Sequence, residues 1–233
     1  MPRFLALIPA AGSGSRMAGS VPKQYLEIAG RPLLAHAIAR LADHPLVEQV
    51  FVVLAPQDTY FAQRDWRAFA GKLMPLYCGG ATRAQSVFNG LVAASDAIEA
   101  SDWVLVHDAA RPCLRRAELD RLLERLRDDS TGGLLAVPVT DTLKRAGGGA
   151  EVLRTEPRDN LWLAQTPQMF RYRLLLEALR LARDADATDE ARAVEGLGLK
   201  PRLVMGSMRN IKVTYAEDLA LAELILQSEA RHK

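Results

Sequence analysis

Arg16 and Lys23 flank the loop that follows Ala10-Ala11-Gly12-Ser13-Gly14-Ser15 in this 233-residue chain. Small residues let a backbone turn tightly and bring its N–H groups against an anion, and the two side chains add fixed positive charge. That combination suits the holding of phosphates. A second cluster lies in His107-Asp108-Ala109-Ala110-Arg111-Pro112. A single carboxylate can help hold Mg²⁺ on a triphosphate, because that ion takes one or two carboxylates and completes its shell with phosphate oxygens and water. Arg111 can meet a second phosphate, and the same Asp–Arg pair would also serve as a surface ion pair. His107 is a tempting base. Phosphate monoesters are already anionic near neutral pH, however, so the chemistry needs none, and His107 is assigned to structure.

Other candidates carry less. No Gly-x-x-x-x-Gly-Lys-Ser/Thr run exists, and Met17 stands where a dinucleotide fingerprint needs its third glycine. Gly12 and Gly14 alone would also serve a tight turn. Gly79 to Ser86 is a second glycine loop, in which Ser86 could simply cap the helix that follows. Thr188 reads as an N-cap before Asp189-Glu190-Ala191. Asp184-Ala185-Asp186 imitates a metal-binding pair but trails a helix, and is set aside. His36 has no second ligand at metal spacing. Cys78 and Cys113 lack CxxC spacing and read as small hydrophobes in a reducing compartment.

The elements that must position these residues alternate. Phe4–Ile8, Val50–Leu54, Leu73–Cys78, Trp103–Val106 and Gly133–Val139 are apolar runs of strand length. Pro32–Ala42, Thr59–Ala70, Val87–Ala94, Arg116–Asp128, Tyr172–Arg183 and Asp218–Gln227 read as helices. Leu203–Met205 and Asn210–Thr214 read as short late strands or edges. This rhythm predicts an α/β fold, a doubly wound and mostly parallel sheet, in one domain spanning 1–233. It breaks at 140–157, where two extended pieces about Gly147-Gly148-Gly149 predict a protruding β-hairpin arm. An acidic residue just beyond a parallel strand, as Asp108 is, falls in the crevice where such sheets bind ligands.

The near-balanced charge, 30 Lys and Arg against 28 Asp and Glu, speaks against nucleic acid as the main partner. Half of the residues are hydrophobic, enough for a sizeable core, yet no apolar run approaches the length of a membrane span. Met1-Pro2-Arg3 leads straight into the first strand without a signal-peptide pattern, so a cytoplasmic location is expected.

The run Pro9-Ala10-Ala11-Gly12-x-Gly14-x-Arg16-Met17, with Pro22-Lys23-Gln24-Tyr25, resembles the nucleotidyltransferases that join a nucleoside monophosphate to a phosphorylated sugar or alcohol. The Lys23-Gln24-Tyr25 ending is most similar to the 2-C-methyl-D-erythritol 4-phosphate cytidylyltransferases of the non-mevalonate isoprenoid pathway. Further matches fall at 79–90, 107–113, 140–145, 158–168, 188–191 and 210–214, so the resemblance covers nearly the whole chain.

The resemblance implies a nucleotide-diphospho-sugar transferase-like fold and transfer of CMP from CTP to 2-C-methyl-D-erythritol 4-phosphate, releasing pyrophosphate. It implies that Arg16 and Lys23 stabilise transition-state charge on the triphosphate, and that Arg158 and Lys212 orient the acceptor phosphate. Ala10, Ala11, Gly12, Gly14, Gly80 and Ser86 would line the CTP side. Ala81 replaces a polar residue of some relatives, so only its backbone could serve there. Asp108, Arg111, Thr142, Thr166 and Thr188 would line the acceptor side, with Asp108 also a Mg²⁺ candidate. The arm at 140–157 would be exchanged between two subunits of a homodimer, which suits a hairpin too small to be stable alone. Two other readings stand beside this one: a related enzyme such as a ribitol-5-phosphate cytidylyltransferase, and a non-catalytic nucleotide sensor. The four cations Arg16, Lys23, Arg158 and Lys212 speak against the sensor, which needs only the nucleotide half.

Replacing Lys23 with Ala should abolish most turnover in a pyrophosphate-release assay while leaving the far-ultraviolet dichroism of a folded chain. Wild-type turnover from that variant would remove Lys23 from the chemistry.

Overall fold

The structure is a computed structural model that describes residues 2–12, 21–182 and 188–231. Gly14, Arg16 and the Asp184–Asp186 pair lie outside the described residues. The chain runs Phe4–Pro9 (β1), Glu27–Ile28 (β2), Arg31–Pro32 (β3), Leu33–Ala42 (α1), Val47–Val53 (β4), Leu73–Leu76 (β5), Arg83–Ala93 (α2), Trp103–Val106 (β6), Arg116–Leu126 (α3), Gly133–Pro138 (β7), Leu143–Ala146 (β8), Val152–Glu156 (β9), Trp162–Arg171 (β10), Tyr172–Leu181 (α4), Glu190–Glu195 (α5), Arg202–Met205 (β11) and Ala216–Ala230 (α6).

Seven strands form one sheet in the order β11-β7-β10-β6-β1-β4-β5. β1 pairs in parallel with both β4 and β6, β4 with β5, and β7 with β11. Within this sheet only β10 runs antiparallel, between β6 and β7. The mostly parallel, doubly wound sheet expected from the alternating rhythm is therefore present. β1 explains why it is wound twice. Its apolar run buries both faces, as a central parallel strand must. Ala6 and Ile8 pack with Leu34, Ile38 and Leu41 of α1 and Leu119 and Leu122 of α3. Leu5 and Leu7 face the other way, onto Val87 and Leu91 of α2 and Leu175 and Leu179 of α4. Each large apolar side chain among them contributes about 1.5–3 kcal/mol when fully buried.

The chain winds outward from β1 to β4 and β5, then crosses back to place β6 on the other side of β1. The order reverses at that point, and a crevice opens beyond the carboxyl ends of β1 and β6. A third apolar cluster closes it from below: Ile28, Leu33, Ala110 and Cys113 pack with Val213 and with Ala222 and Leu226 of α6. Asp218 in the first turn of α6 accepts from the backbone N–H of Thr214 at 2.7 Å and Tyr215 at 2.8 Å, fixing the approach of that loop.

Two expected elements are different. Thr59–Ala70 is not an α-helix; turns lead to a short 3-10 segment at Arg67–Phe69. Local bonds outcompete the helix. Asp58 accepts from Phe61 N at 2.9 Å, Trp66 Nε1 donates to Phe61 O at 2.7 Å, and the Phe61 and Trp66 rings stack 4.5 Å apart. Asn210–Thr214 is a loop rather than a strand or edge, because its backbone groups bond to the crevice loops instead of a neighbouring strand.

The arm is a separate two-stranded sheet, β8 with β9, in antiparallel register Leu143 to Glu156. Val152 and Leu153 on it are 62% and 65% exposed. Arg145 and Arg154 both pair with Glu156 across and along the hairpin. Both cysteines are free, Cys113 buried and Cys78 half-buried, and burial pushes the Cys113 thiol up to about 12. No helix among the described residues is long and apolar enough to cross a membrane.

Candidate active site

Three loops meet over the crevice. The first leaves β1 through Ala10, Ala11 and Gly12 and returns at Lys23-Gln24-Tyr25. The second joins β5 to α2 through Gly79–Thr82, and the third leaves β6 through His107–Arg111. Together with the 210–214 loop they line an open cavity of about 510 Å³, whose walls include Ala10, Ala11, Gly12, Lys23, Gly80, Arg83, Ser86, Asp108 and Lys212.

Glycine is required where the first two loops touch. A Cβ on Gly79 would fall on the Cβ of Ala11 and lie 2.8 Å from Leu54 O. The helix after it is capped by Thr82, whose side chain accepts from Gln85 N at 3.1 Å. Ser86 is therefore not the cap. It is buried inside α2, accepts from Gly80 N at 3.0 Å and donates to Thr82 O at 2.9 Å. Ala81 N donates to Gln85 Oε1 at 2.9 Å. The N–H groups of Gly80 and Ala81 are thus engaged within the loop, and Ser86 sets its shape.

Lys23 follows from its own turn. Gln24 is buried and donates to Ala10 O at 2.8 Å, and the Tyr25 ring stacks on Tyr60 with its hydroxyl 2.8 Å from Asp58. These anchors point Lys23 inward, where its Nζ donates to Val213 O at 2.8 Å. Lys212 is the preceding residue of that loop, so the same piece of backbone carries one cation and receives the other.

Asp108 is the centre. Its side chain is 8% exposed, with Oδ1 at 2.8 Å from Arg83 Nε and Oδ2 at 2.8 Å from Lys212 Nζ. Burial alone would raise its pKa, but the charges of Arg83, Lys212 and Arg111 outweigh it and hold the carboxyl far below the usual range. Arg83 also forks onto Glu190, at 2.6 Å and 3.1 Å.

Behind Asp108 lies a closed hydrogen-bond chain. Asp108 N donates to Thr166 Oγ1 at 3.0 Å. The Thr166 hydroxyl then donates to His107 Nδ1 at 3.0 Å, and His107 Nε2–H donates to Arg111 O at 3.0 Å. The two fixed partners leave no other tautomer that satisfies every group. His107 is fully buried and neutral; burial pushes its pKa down to about 4. It is structural, as its chemistry suggested.

The structure thus brings Ala10, Ala11, Gly12, Lys23, Gly80, Ser86, Asp108 and Lys212 together at one cavity. Arg111 does not line it. It is buried beneath, donating to Asn210 O at 2.6 Å and Ala164 O at 3.3 Å, which fastens the Asn210–Thr214 loop rather than a phosphate. Thr166 is 4% exposed and its hydroxyl is already used on both sides, so it shapes the Asp108 backbone instead of facing the cavity. Thr188 is exposed, and the cap of α5 is Asp189, which accepts from Arg192 N at 3.0 Å. Thr142 and Arg158 are exposed at the base of the arm and do not line this chain's cavity.

As a metal ligand Asp108 does not fit as it stands, because each of its oxygens already faces a cation. No cluster of three or more metal-ligating side chains exists among the described residues.

The sequence alone gives no role to Arg83, Glu190, Gln24, Gln168 or Asn210. Arg83 carried a signal, a cation opening the helix after a glycine loop. Glu190 carried none, since 107 residues separate it from Arg83.

An open α/β sheet whose switch-point crevice holds Lys23, Arg83 and Lys212 around one buried carboxylate defines a site for phosphorylated ligands. Comparison narrows the class. The family model for 2-C-methyl-D-erythritol 4-phosphate cytidylyltransferase matches residues 4–228, and the chain belongs to that family of nucleotidyltransferases. Among curated relatives carrying this name, one from Nitrosospira multiformis is 59% identical over 98% of this chain and 99% of its own. Another, from Dechloromonas aromatica, is 58% identical over the same shares. A crystal structure of 4-diphosphocytidyl-2C-methyl-D-erythritol synthase superposes with a TM-score of 0.85 at 42% identity, covering 97% of this chain and 99% of that one. The cytidylyltransferase of Thermus thermophilus gives 0.78 at 35%, covering 97% and 100%.

Because His107 is neutral when folded and takes a proton near its ordinary pH when unfolded, its contribution is intact above about 6.5 and is lost as pH falls toward about 4. The loss is on the order of 3 kcal/mol. The contribution of Asp108 is lost only below the ordinary carboxylate range, so the two windows separate. His107→Asn, which keeps an acceptor for Thr166, should be less stable at neutral pH but show a flatter decline from pH 7 to pH 4.5 in urea titrations. Parallel declines would show that His107 does not set the acid limb.

Proposed function

We propose that this chain transfers CMP from CTP to 2-C-methyl-D-erythritol 4-phosphate, releasing pyrophosphate, within the non-mevalonate isoprenoid pathway. Membership of the family over nearly the whole chain supports the substrates. The observation that carries the chemistry is the Lys23–Val213 hydrogen bond, which holds Lys23 against the loop that carries Lys212. An oxygen of the acceptor phosphate attacks the α-phosphorus of CTP in line. The new P–O bond forms as the bond to the pyrophosphate oxygen breaks. Both reactants are polyanions, so the protein must position them and offset their charge. Lys23, reaching from the first loop, serves the triphosphate together with Arg16. Lys212 serves the acceptor phosphate, leaving Asp108 for it as the acceptor enters.

Mg²⁺ belongs to this reading through the nucleotide rather than through Asp108. Bound to phosphate oxygens, the ion would neutralise triphosphate charge. Asp108 then acts as the organiser of Arg83 and Lys212. The two free thiols suit a reducing cytoplasm, where we place the reaction.

We further propose that Thr142 and Arg158 complete the acceptor side of a partner subunit. They sit at the base of an exposed two-stranded arm with Val152 and Leu153 uncovered. A hairpin of that size needs a surface to rest on. Exchange of arms would carry both residues across a homodimer.

Phosphorus NMR of the chain with Mg²⁺, CTP and 2-C-methyl-D-erythritol 4-phosphate should show a diphosphate-linked product and pyrophosphate, and a chelator should stop both. No product with that acceptor, but product with ribitol 5-phosphate, would move the assignment to the other polyol phosphate. CTP binding without any turnover would leave a sensor.

The arm exchange has its own test. Arg158→Ala and Lys212→Ala chains, each inactive, should regain about a quarter of wild-type activity when mixed and allowed to exchange, since each mixed dimer holds one intact site. No recovery, or a monomer by analytical ultracentrifugation, would overturn it.

A further inference from the structure

Glu190 is a fully buried carboxylate at the start of α5 that the chemistry above does not use. A buried ion pair contributes little net stability compared with apolar residues of the same shape, so stability alone does not account for this one. Its surroundings are built to hold it. Gln168 on β10 donates to Asp189 Oδ2 at 3.0 Å and accepts from Ala191 N at 2.8 Å, bracketing Glu190 on both sides. Glu190 in turn takes both terminal nitrogens of Arg83, NH1 at 2.6 Å and NH2 at 3.1 Å. Only Nε of Arg83 remains for Asp108, at 2.8 Å to Oδ1. The other oxygen of Asp108 holds Lys212 at 2.8 Å.

A guanidinium left without Glu190 would present its full fork, the geometry that grips a carboxylate through two bonds. We propose that Glu190 is a positioning residue for the acceptor half of the site: by occupying the fork of Arg83 it restricts Arg83 to one bond with Asp108, and so leaves Asp108 to hold Lys212 where the acceptor phosphate arrives. The inference rests on the reading of Lys212 given above. Four side chains, Glu190–Arg83–Asp108–Lys212, form one chain of contacts in which a residue outside the cavity lining sets the placement of one inside it.

The test is steady-state kinetics of Glu190→Gln with both substrates varied. A glutamine keeps the shape but cannot hold a guanidinium by charge. KM for the acceptor should rise about tenfold or more while KM for CTP stays within about twofold. In an Arg83→Gln background the same substitution should have no further effect on the acceptor KM, because its route is gone. A merely structural Glu190 would lower kcat through loss of folded protein, leave both KM values unchanged and add to Arg83→Gln; that result overturns the proposal. If Glu190→Gln does not fold, Arg83→Lys carries the test, since a single ammonium cannot fork and its side chain is partly exposed; it should shift the acceptor KM alone, and unchanged KM values would overturn the proposal. Wild-type protein that makes no product would instead overturn the functional reading, and the positioning role with it.

Discussion

Asp108 carries a full negative charge with 8% of its side chain exposed. Alone, a carboxylate so placed would cost several kcal/mol, because the water that stabilises it has been removed. Three cations replace that water: Arg83 from α2, Lys212 from the loop before α6, and Arg111 from its own loop, at 3.7 Å. Each comes from a different stretch of chain. The demand of one buried charge therefore draws together segments that share no local structure, and the crevice takes its shape from that convergence.

The backbone beneath is held by the same pairing of polar groups. Thr166, His107 and the N–H of Asp108 satisfy one another in a closed chain, and Asn210 Nδ2 donates to Thr166 O at 2.8 Å. Arg111 ties the Asn210 carbonyl and Val213 N donates to Ala110 O at 2.9 Å. A loop without helix or strand of its own is thus as firmly placed as a strand, and it carries Lys212 and receives Lys23. Positioning of reacting groups needs that firmness, since small displacements are costly in rate.

Among the described residues, cations outnumber carboxylates where the loops meet: Lys23, Arg83 and Lys212 line the cavity against Asp108 alone. The surplus is local, in a chain whose overall charge is only +2. Net charge therefore said nothing of the site beyond excluding a basic surface. The field is focused in a crevice, where a phosphorylated ligand replaces the partners that the cations keep while it is absent.

The sequence by itself determined the layered α/β architecture, because apolar runs of strand length alternating with amphipathic segments have few other ways to bury both faces of β1. It also marked Lys23, Asp108, Lys212 and the two glycine loops, where short local patterns carry the chemistry. It misplaced Thr59–Ala70, since side-chain to backbone bonds from Asp58 and Trp66 are invisible to periodicity. Tertiary structure alone decided which polar residues face the cavity and which support it from beneath. Arg111 and Thr166 look like ligand contacts in their motifs, yet both commit their hydrogen bonds to backbone and to His107. Glu190 became part of the site only because the sheet brings α5 to α2 across 107 residues. Burial and partner choice are properties of the packed chain, and no spacing along the sequence encodes them.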